Sequence, residues 1–336
     1  MNTLPKSFFL LVASACLLSW QCLASAQTTQ TSSTSDYPNK PIRIVVPFSA
    51  GGATDVMARL IGQKLTDAWG QQVVVENRIG AGGNIGMEAV AKSNPDGYTI
   101  VMMNNAAATN AAMNAKLSFD VTKDFAPIGL VASTPMMLIA GNAVPAGSIR
   151  EITDYLRKRP GKLSYASCGL GGPQHFATEL YKSQAKVFIV HAPYRGCSQA
   201  VADVIGGQIE LAMVSANVAI PHLKTGKLRA LGLTAKSRTP ASPETPTFRE
   251  SGLPELKNYA VDVWYGLMAP TGTPKEIITK LSSEVRRILD QPDMRQKMSA
   301  AGIDSLSGDG SELLTLLRGD IETFRSVVQF AGIKLE

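Results

Sequence analysis

Two glycine-rich turns, each entered from an apolar strand and left through a helix, constrain this chain more than any other feature. The first lies in I-R-I-V-V-P-F-S-A-G-G-A-T-D-V-M-A, residues 42–58. Ile42 to Val46 has the β-branched density of a buried parallel strand, and Pro47, which cannot donate to a ladder, ends it. Gly51 and Gly52 let the backbone turn tightly and come close to a ligand. Thr54 or Asp55 is placed to cap a helix whose apolar residues Met57, Leu60, Ile61, Leu65 and Ala68 share one face. The second turn is Ser167-Cys168-Gly169-Leu170-Gly171-Gly172-Pro173-Gln174-His175. Its three glycines free the backbone, and Pro173 is pre-set for a first helical turn.

Such a turn aims unpaired backbone N–H groups and the positive end of a helix dipole at one place, which suits an anion. Taken singly, each reads equally well as a tight connection that binds nothing. If the two come from separate domains and face one cleft, they hold a carboxylate without an arginine. Each helix end then contributes about 0.3–2 kcal/mol besides direct N–H bonds. Neither turn has the G-x-G-x-x-G spacing of a dinucleotide site or the G-x-x-x-x-G-K-[ST] of a P-loop.

The rest of the chain alternates strand and helix. Strands are expected at Gln72–Glu76, Tyr98–Met103, Phe125–Ala140, Leu163–Ser167, Val187–His191, Ile209–Val214, Leu228–Thr234 and Val261–Ala269. Helices are expected near Ile85–Lys92, from a capping box of Ser148 and Glu151 to Arg159, and at Gln174–Lys182, Ser198–Ile205 and Val218–Lys224. Thr273, Pro274 and Glu276 give one of the closing helices a cap, a first-turn proline and a capping-box acid. The β-α-β order predicts an α/β fold with parallel sheets wrapped by helices. Asn105, at the end of a strand, can reach a ligand or finish a turn.

Residues 1–26 read as a cleaved leader: Lys6, an apolar run from Phe8 to Trp20, and Ala24-Ser25-Ala26 before the cut. Residues 27–36 are Thr/Ser/Gln-rich and read as a disordered lead-in. No later stretch reaches the roughly 18 uninterrupted apolar residues that span a bilayer. About 310 residues remain, enough for two modest α/β domains. They carry 32 basic and 27 acidic side chains, a net charge of +5 that is scattered over predicted helix faces. Nothing resembles a nucleic-acid module. Loss of the leader removes Cys16 and Cys22. Cys168 and Cys197 remain, two thiols or one disulfide; their positions in loops beside glycines favour the bridge in an exported chain.

The three histidines, His175, His191 and His222, fit no H-E-x-x-H, and there is no G-x-S-x-G. No metal or cofactor is called for. His191, at a strand end, reads as packing or a backbone bond. An enzymatic alternative is a hydrolase using Ser167 and His175, eight residues apart, without an evident third group to orient the base.

Tyr37-Pro38-Asn39-Lys40-Pro41-Ile42-Arg43, Val46-Pro47-Phe48 with Gly51-Gly52 and Asp55, and Val75-Glu76-Asn77-Arg78 followed by Gly80-Ala81-Gly82-Gly83-Asn84-Ile85-Gly86 together resemble one family. Pro95-Asp96-Gly97-Tyr98-Thr99, His191-Ala192-Pro193-Tyr194-Arg195-Gly196, Gly206-Gly207-Gln208 and Trp264-Tyr265-Gly266-Leu267 with Ala269-Pro270 extend the likeness over essentially the whole mature chain. It is similar to the Bug-type extracytoplasmic receptors of the tripartite tricarboxylate transporter systems.

The resemblance implies a two-domain, Venus-flytrap periplasmic binding protein that is monomeric and not an enzyme. Residues 37–138 plus 262–336 would form one domain and 139–261 the other. It implies a small organic acid bound between the glycine loops and delivered to a small and a large integral membrane subunit; a protein that presents its liganded form to a signalling partner is an alternative the sequence does not separate from this. By matching motif it points to Phe48, Ser49, Ala50, Gly51, Gly52, Thr54 and Asp55 on one side. On the other it points to Ser167, Gly169, Gly171 and Gly172, with His175 bracing the helix start. Ser215 stands where many relatives place an aspartate that could pair with a ligand amine, which favours a plain carboxylate over an amino acid. Ser49-Ala50 stands where prolines are frequent.

Overall fold

The computed structural model of the chain describes residues 36–113 and 117–331. The expected leader, and the lead-in as far as Ser35, lie outside them. Contacts divide the chain after Tyr37, and the fold below is that of the unit beginning at Pro38.

In the first half, β1 (Ile42–Val46) leads through the first glycine turn to α1 (Ala53–Trp69), then β2 (Val73–Asn77), α2 (Asn84–Ala91), β3 (Thr99–Asn104) and α3 (Ala106–Ala112). β1 lies between β2 and β3, parallel to both, as the β-α-β order predicts. β4 (Phe125–Gly141) carries the chain onward to α4 (Ile149–Lys158), β5 (Ser164–Ser167), α5 (Pro173–Ala185), β6 (Val190–Pro193), α6 (Cys197–Ile205), β7 (Leu211–Ser215), α7 (Ala216–Leu223) and β8 (Leu228–Leu233). Here β5 lies parallel to both β6 and β7. The chain returns in β9 (Asp262–Pro270) and closes with α8 (Lys275–Leu289), α9 (Pro292–Ala300), β10 (Asp304–Gly308) and α10 (Gly310–Ala331).

The parallel ladders are joined by antiparallel ones. β9 pairs with β3 on one side and with β4 on the other, from Phe125↔Pro270 to Pro135↔Asp262. One residue later β4 changes partners: Met136 pairs with Ser215 of β7, and Met137 with Leu233 of β8. A single 17-residue strand thus belongs to two half-sheets laid end to end. Its apolar run serves both cores, since Met136 through Ala140 are all fully buried.

This arrangement fixes where the turns go. β1 and β3 run in the direction of β4, whereas β7, and with it β5, runs against it. The C-terminal ends of β1 and β3 therefore point up at the join, and those of β5 and β7 point down at it. Both glycine turns leave from strand ends that face the place where β4 changes partners. Met113, just past α3, confirms the approach: a Cβ added at Gly171 of the second turn would lie 3.2 Å from its Cε. Phe176 of α5 also packs on Phe324 of α10, with ring centroids 5.0 Å apart.

Several local expectations need correction. Neither Thr54 nor Asp55 caps α1; Gly52 is the N-cap and no side chain bonds there, because both side chains are used elsewhere. Ala68 of the proposed apolar face is exposed. Ser148 does accept from the Glu151 N–H, but Glu151 reaches back to the Gly147 N–H, one residue short of a reciprocal box. Thr273 donates to the Pro270 carbonyl, leaving Pro274 as the N-cap of α8. The sixth strand begins at Val190 rather than Val187. Residues 187–189 make no ladder: the Val187 N–H donates to the Lys182 carbonyl at the end of α5 and the Phe188 carbonyl accepts from the Gly161 N–H, with Val187 and Ile189 buried and the Phe188 side chain exposed.

Candidate functional site

The first turn is braced from below by a polar cluster. Asp55 is buried, and its Oδ2 accepts from the Gly51 N–H and from Arg59 Nε, each at 2.9 Å. Its Oδ1 accepts from Asn77 Nδ2, which also donates to the Phe48 carbonyl, both at 2.9 Å. Burial on its own would raise the Asp55 pKa. The hydrogen bonds from Arg59, Gly51 and Asn77 outweigh it and hold the carboxyl below the ordinary 3.8. Gly51 has φ +83°, which a side chain rarely adopts, and open space where its Cβ would be. Thr54 is buried and accepts from Asn104 Nδ2 at 3.3 Å. Phe48 is half-buried, its ring under Gly83, whereas Ser49, Ala50, Gly51 and Gly52 are exposed.

The second turn is braced by aromatic nitrogen. His175 Nδ1 accepts the Gly171 N–H at 3.1 Å, and the imidazole stacks on that of His191 at 4.0 Å between centroids and 11° between planes. Tyr165 stacks on the far side of His191 at 4.8 Å. His191 Nε2 lies 2.7 Å from Ser167 Oγ. Burial, with Lys182 nearby, depresses the His175 pKa to about 4; burial, then His175, depresses that of His191 to about 3. Both rings are neutral at pH 7. Beneath them Glu179 accepts from Lys182 Nζ at 2.7 Å and from the Tyr165 hydroxyl at 2.9 Å.

A disulfide, Cys168–Cys197, ties this turn to the start of α6, as the paired loop cysteines led us to expect. Ser215, at the end of β7, accepts from Gln174 Nε2 at 3.1 Å and offers no charge.

Which donors remain free follows from these bonds. The Gly51 and Gly171 N–H groups are taken by Asp55 and His175, and the Gly172 N–H by the Gly169 carbonyl. The N–H groups of Gly52, Ala53 and Thr54 at the start of α1 make no hydrogen bond among the described residues, nor do those of Leu170, Gln174 and His175 at the second turn. First-turn amides of a helix have no intrahelical acceptor and are satisfied from outside. Two sets of free amides at two helix N-termini, carried by opposite half-sheets, face one join.

Two candidates are placed differently from expectation. Asn105 is fully buried and donates to the Asp262 carbonyl at 2.9 Å, while its Oδ1 has no partner among the described residues. Ser167 is fully buried, its hydroxyl on His191 and not on His175. That corrects the hydrolase alternative. A Ser–His contact of 2.7 Å is what a nucleophile needs, but this hydroxyl is shut away from substrate, and an imidazole held near 3 is a poor base. No cluster of three His, Cys, Asp or Glu side chains could hold a metal among the described residues.

Residues to which sequence reading gave no part in the site do much of the bracing: Asn77, Arg59, Asn104 and, at the join, Asp262; His191, read as packing or a backbone bond, packs on His175 and bonds the Ser167 side chain instead. The Asp262 carboxylate accepts from the Thr234 hydroxyl at 3.2 Å, and burial pushes its pKa up to about 7. The Thr234 hydroxyl in turn accepts the Met136 N–H at 2.9 Å.

Two α/β half-sheets sharing one crossing strand, with loops meeting at the join, define a periplasmic binding protein. The family model described as "Tripartite tricarboxylate transporter family receptor" matches residues 57–333, and the chain belongs to that family. It is 37% identical over 297 residues to a protein of the tcbD-tcbE intergenic region of Pseudomonas sp. strain P51, covering 87% of this chain and 86% of that one. It is 32% identical to BugT of Bordetella pertussis, covering 94% and 96%. Among solved structures, an R. palustris protein with adipate superposes with a TM-score of 0.77 at 32% identity, over 89% of this chain and 99% of that one. MatC from Rhodopseudomonas palustris with bound malate gives 0.73 at 32% identity, over 87% and 100%.

Proposed function

We propose that this chain is exported by a cleaved leader and captures a small organic carboxylate between its two glycine turns, delivering it as a monomer to the membrane subunits of a tripartite tricarboxylate transporter. The observation that carries this reading is the pair of helix N-termini, each with free amides, brought to one place by opposite half-sheets. A carboxylate fits such donors without a cationic side chain. The adipate and malate held by the two R. palustris relatives support an acid with a second carboxylate. Ser215 leaves no counter-charge for a ligand amine.

On this reading Ser49, Ala50, Gly52 and Thr54 present donors from one side, and Gly169 and Gly172 shape the turn that presents them from the other. Phe48, Gly51, Asp55, Asn105, Ser167, Gly171, His175 and Ser215 hold those donors in place. The domains run over 37–138 plus 262–336 and 139–261, and closure brings the turns together.

A thermal-shift screen of the oxidised, refolded protein against mono-, di- and tricarboxylates, amino acids and aromatic acids tests it. A ligand at about 100 times its Kd adds about 2.7 kcal/mol, and a chain of this size should gain about 4 °C. Dicarboxylates should give the largest shift. No shift from any acid, with the protein stripped of bound ligand by refolding, would sink the proposal.

A further inference from the structure

Ser167 Oγ has three polar neighbours: the Gly169 carbonyl at 3.0 Å, the Gly169 N–H at 3.4 Å and His191 Nε2 at 2.7 Å. A carbonyl can only accept, so the single hydroxyl hydrogen goes to the Gly169 oxygen. The hydroxyl's two lone pairs then receive the Gly169 N–H and the imidazole. All three contacts are satisfied at once when His191 carries its proton on Nε2 and donates. The neighbouring ring obeys the same rule from the other direction: His175 Nδ1 accepts the Gly171 N–H, so its proton is on Nε2 too, 3.8 Å from Glu179.

The relay from His191 through Ser167, together with the Gly172 N–H at 3.3 Å, holds the Gly169 carbonyl inward. Across a planar trans peptide the N–H of the next residue points the opposite way. That N–H belongs to Leu170, whose side chain is exposed and whose amide has no acceptor among the described residues. A strand residue 24 positions along the chain from Ser167 thereby decides which way a turn donor faces.

We propose that His191 is a positioning residue of the ligand site: its Nε2–H donates to Ser167, Ser167 donates to Gly169, and the Leu170 N–H is aimed outward for a ligand carboxylate. This rests on the carboxylate reading above for its functional half. The geometric half stands without it.

The test has two arms. Imidazole nitrogen NMR of the ligand-free protein at pH 7 should show His191 protonated on Nε2 and bare on Nδ1. The opposite tautomer overturns the proposal. In titration calorimetry with adipate, or with whichever acid gives the largest thermal shift, His191→Phe keeps a ring stacked on His175 but loses the donor, and should weaken binding about fivefold. Ser167→Ala should cost about the same, and the double variant no more than either alone. His191→Gln, whose amide can donate to Ser167, should recover most of the loss. Additive losses, or failure of Gln to rescue, would mark His191 as packing only and overturn the role. If no acid binds but the Nε2–H signature is present, the carboxylate reading falls while the bracing of the turn is supported.

Discussion

The first glycine turn stands on a buried charged carboxylate paired with the half-exposed Arg59, whereas the second stands on two neutral imidazoles and a disulfide. The local manoeuvre is the same in both, from strand to glycine to helix N-terminus, yet the supports answer to different chemistry. The first should resist acid and be indifferent to redox state, and the second should yield to acid and depend on the bridge. What the two turns share is a set of free amides at a helix N-terminus, and what differs is the chemistry that holds each in place.

The largest separation of the two should come from reduction. Cys168 and Cys197 enclose a separation of 29 residues, and loop-closure entropy assigns about 3–4 kcal/mol to such a bridge. Calorimetry of the reduced protein, or of Cys168→Ala with Cys197→Ala, should show a Tm lower by about 5 °C. Hydrogen exchange should place the loss in the second turn; equal loss in the first would break the contrast.

Asp55→Ala is the counterpart for the first turn. It strands the Gly51 and Asn77 donors together and should cost about 2 kcal/mol in urea unfolding. The second turn should keep its exchange protection. Asp55→Asn, which retains an accepting oxygen, should cost less than Asp55→Ala.

Acid should discriminate next. The histidines have folded pKa values depressed to about 4 and 3, so below the ordinary 6.5 the unfolded chain takes up protons that the folded one refuses. Their contribution is complete above pH 6.5 and erodes as pH falls towards 4 and then 3. Asp55, also depressed but a carboxylate, contributes fully above 3.8 and loses that only as pH falls through its still lower folded value. At pH 5, exchange protection should fall about tenfold in the second turn and hold in the first. Matching profiles in both turns would refute the distinction.

The smallest effect compares two glycines of positive φ. Gly51→Ala meets open space and should cost about 1 kcal/mol, the strain of the left-handed backbone. Gly171→Ala carries the same strain and presses on Met113, so it should cost somewhat more and also reduce carboxylate affinity.

The turns themselves were legible because glycine, proline and β-branched runs act over a few residues, and the first strand falls at Ile42–Val46 as read. Of their braces, His175 and Asp55 lie four residues from the glycines they hold and were named, whereas the more distant partners were not placed: Asn77 lies 22 residues from Asp55, and His191 lies 24 from Ser167. Nor could sequence tell which amides are free, since the glycines most suggestive of a ligand, Gly51 and Gly171, have theirs consumed by Asp55 and His175. The β-α-β rhythm correctly indicated parallel ladders in each half. It was silent on the antiparallel centre, where β9 returns beside β3 and β4 after a whole half-sheet has intervened. The length of the Phe125–Gly141 run was visible, but its change of partners depends on what lies on either side.

That one strand carries the sheet from one half to the other has a mechanical meaning. A beam narrowed to a single fibre is compliant in torsion there, and Pro135 leaves the ladder a donor short at the narrow point. Under the closure proposed above, drawing the halves together would twist β4 and load the Thr234 contacts with Met136 and Asp262. On that reading the stiffness of the fibre would set how much interaction energy survives as affinity, and residues far from the ligand would detune the grip without changing what is gripped.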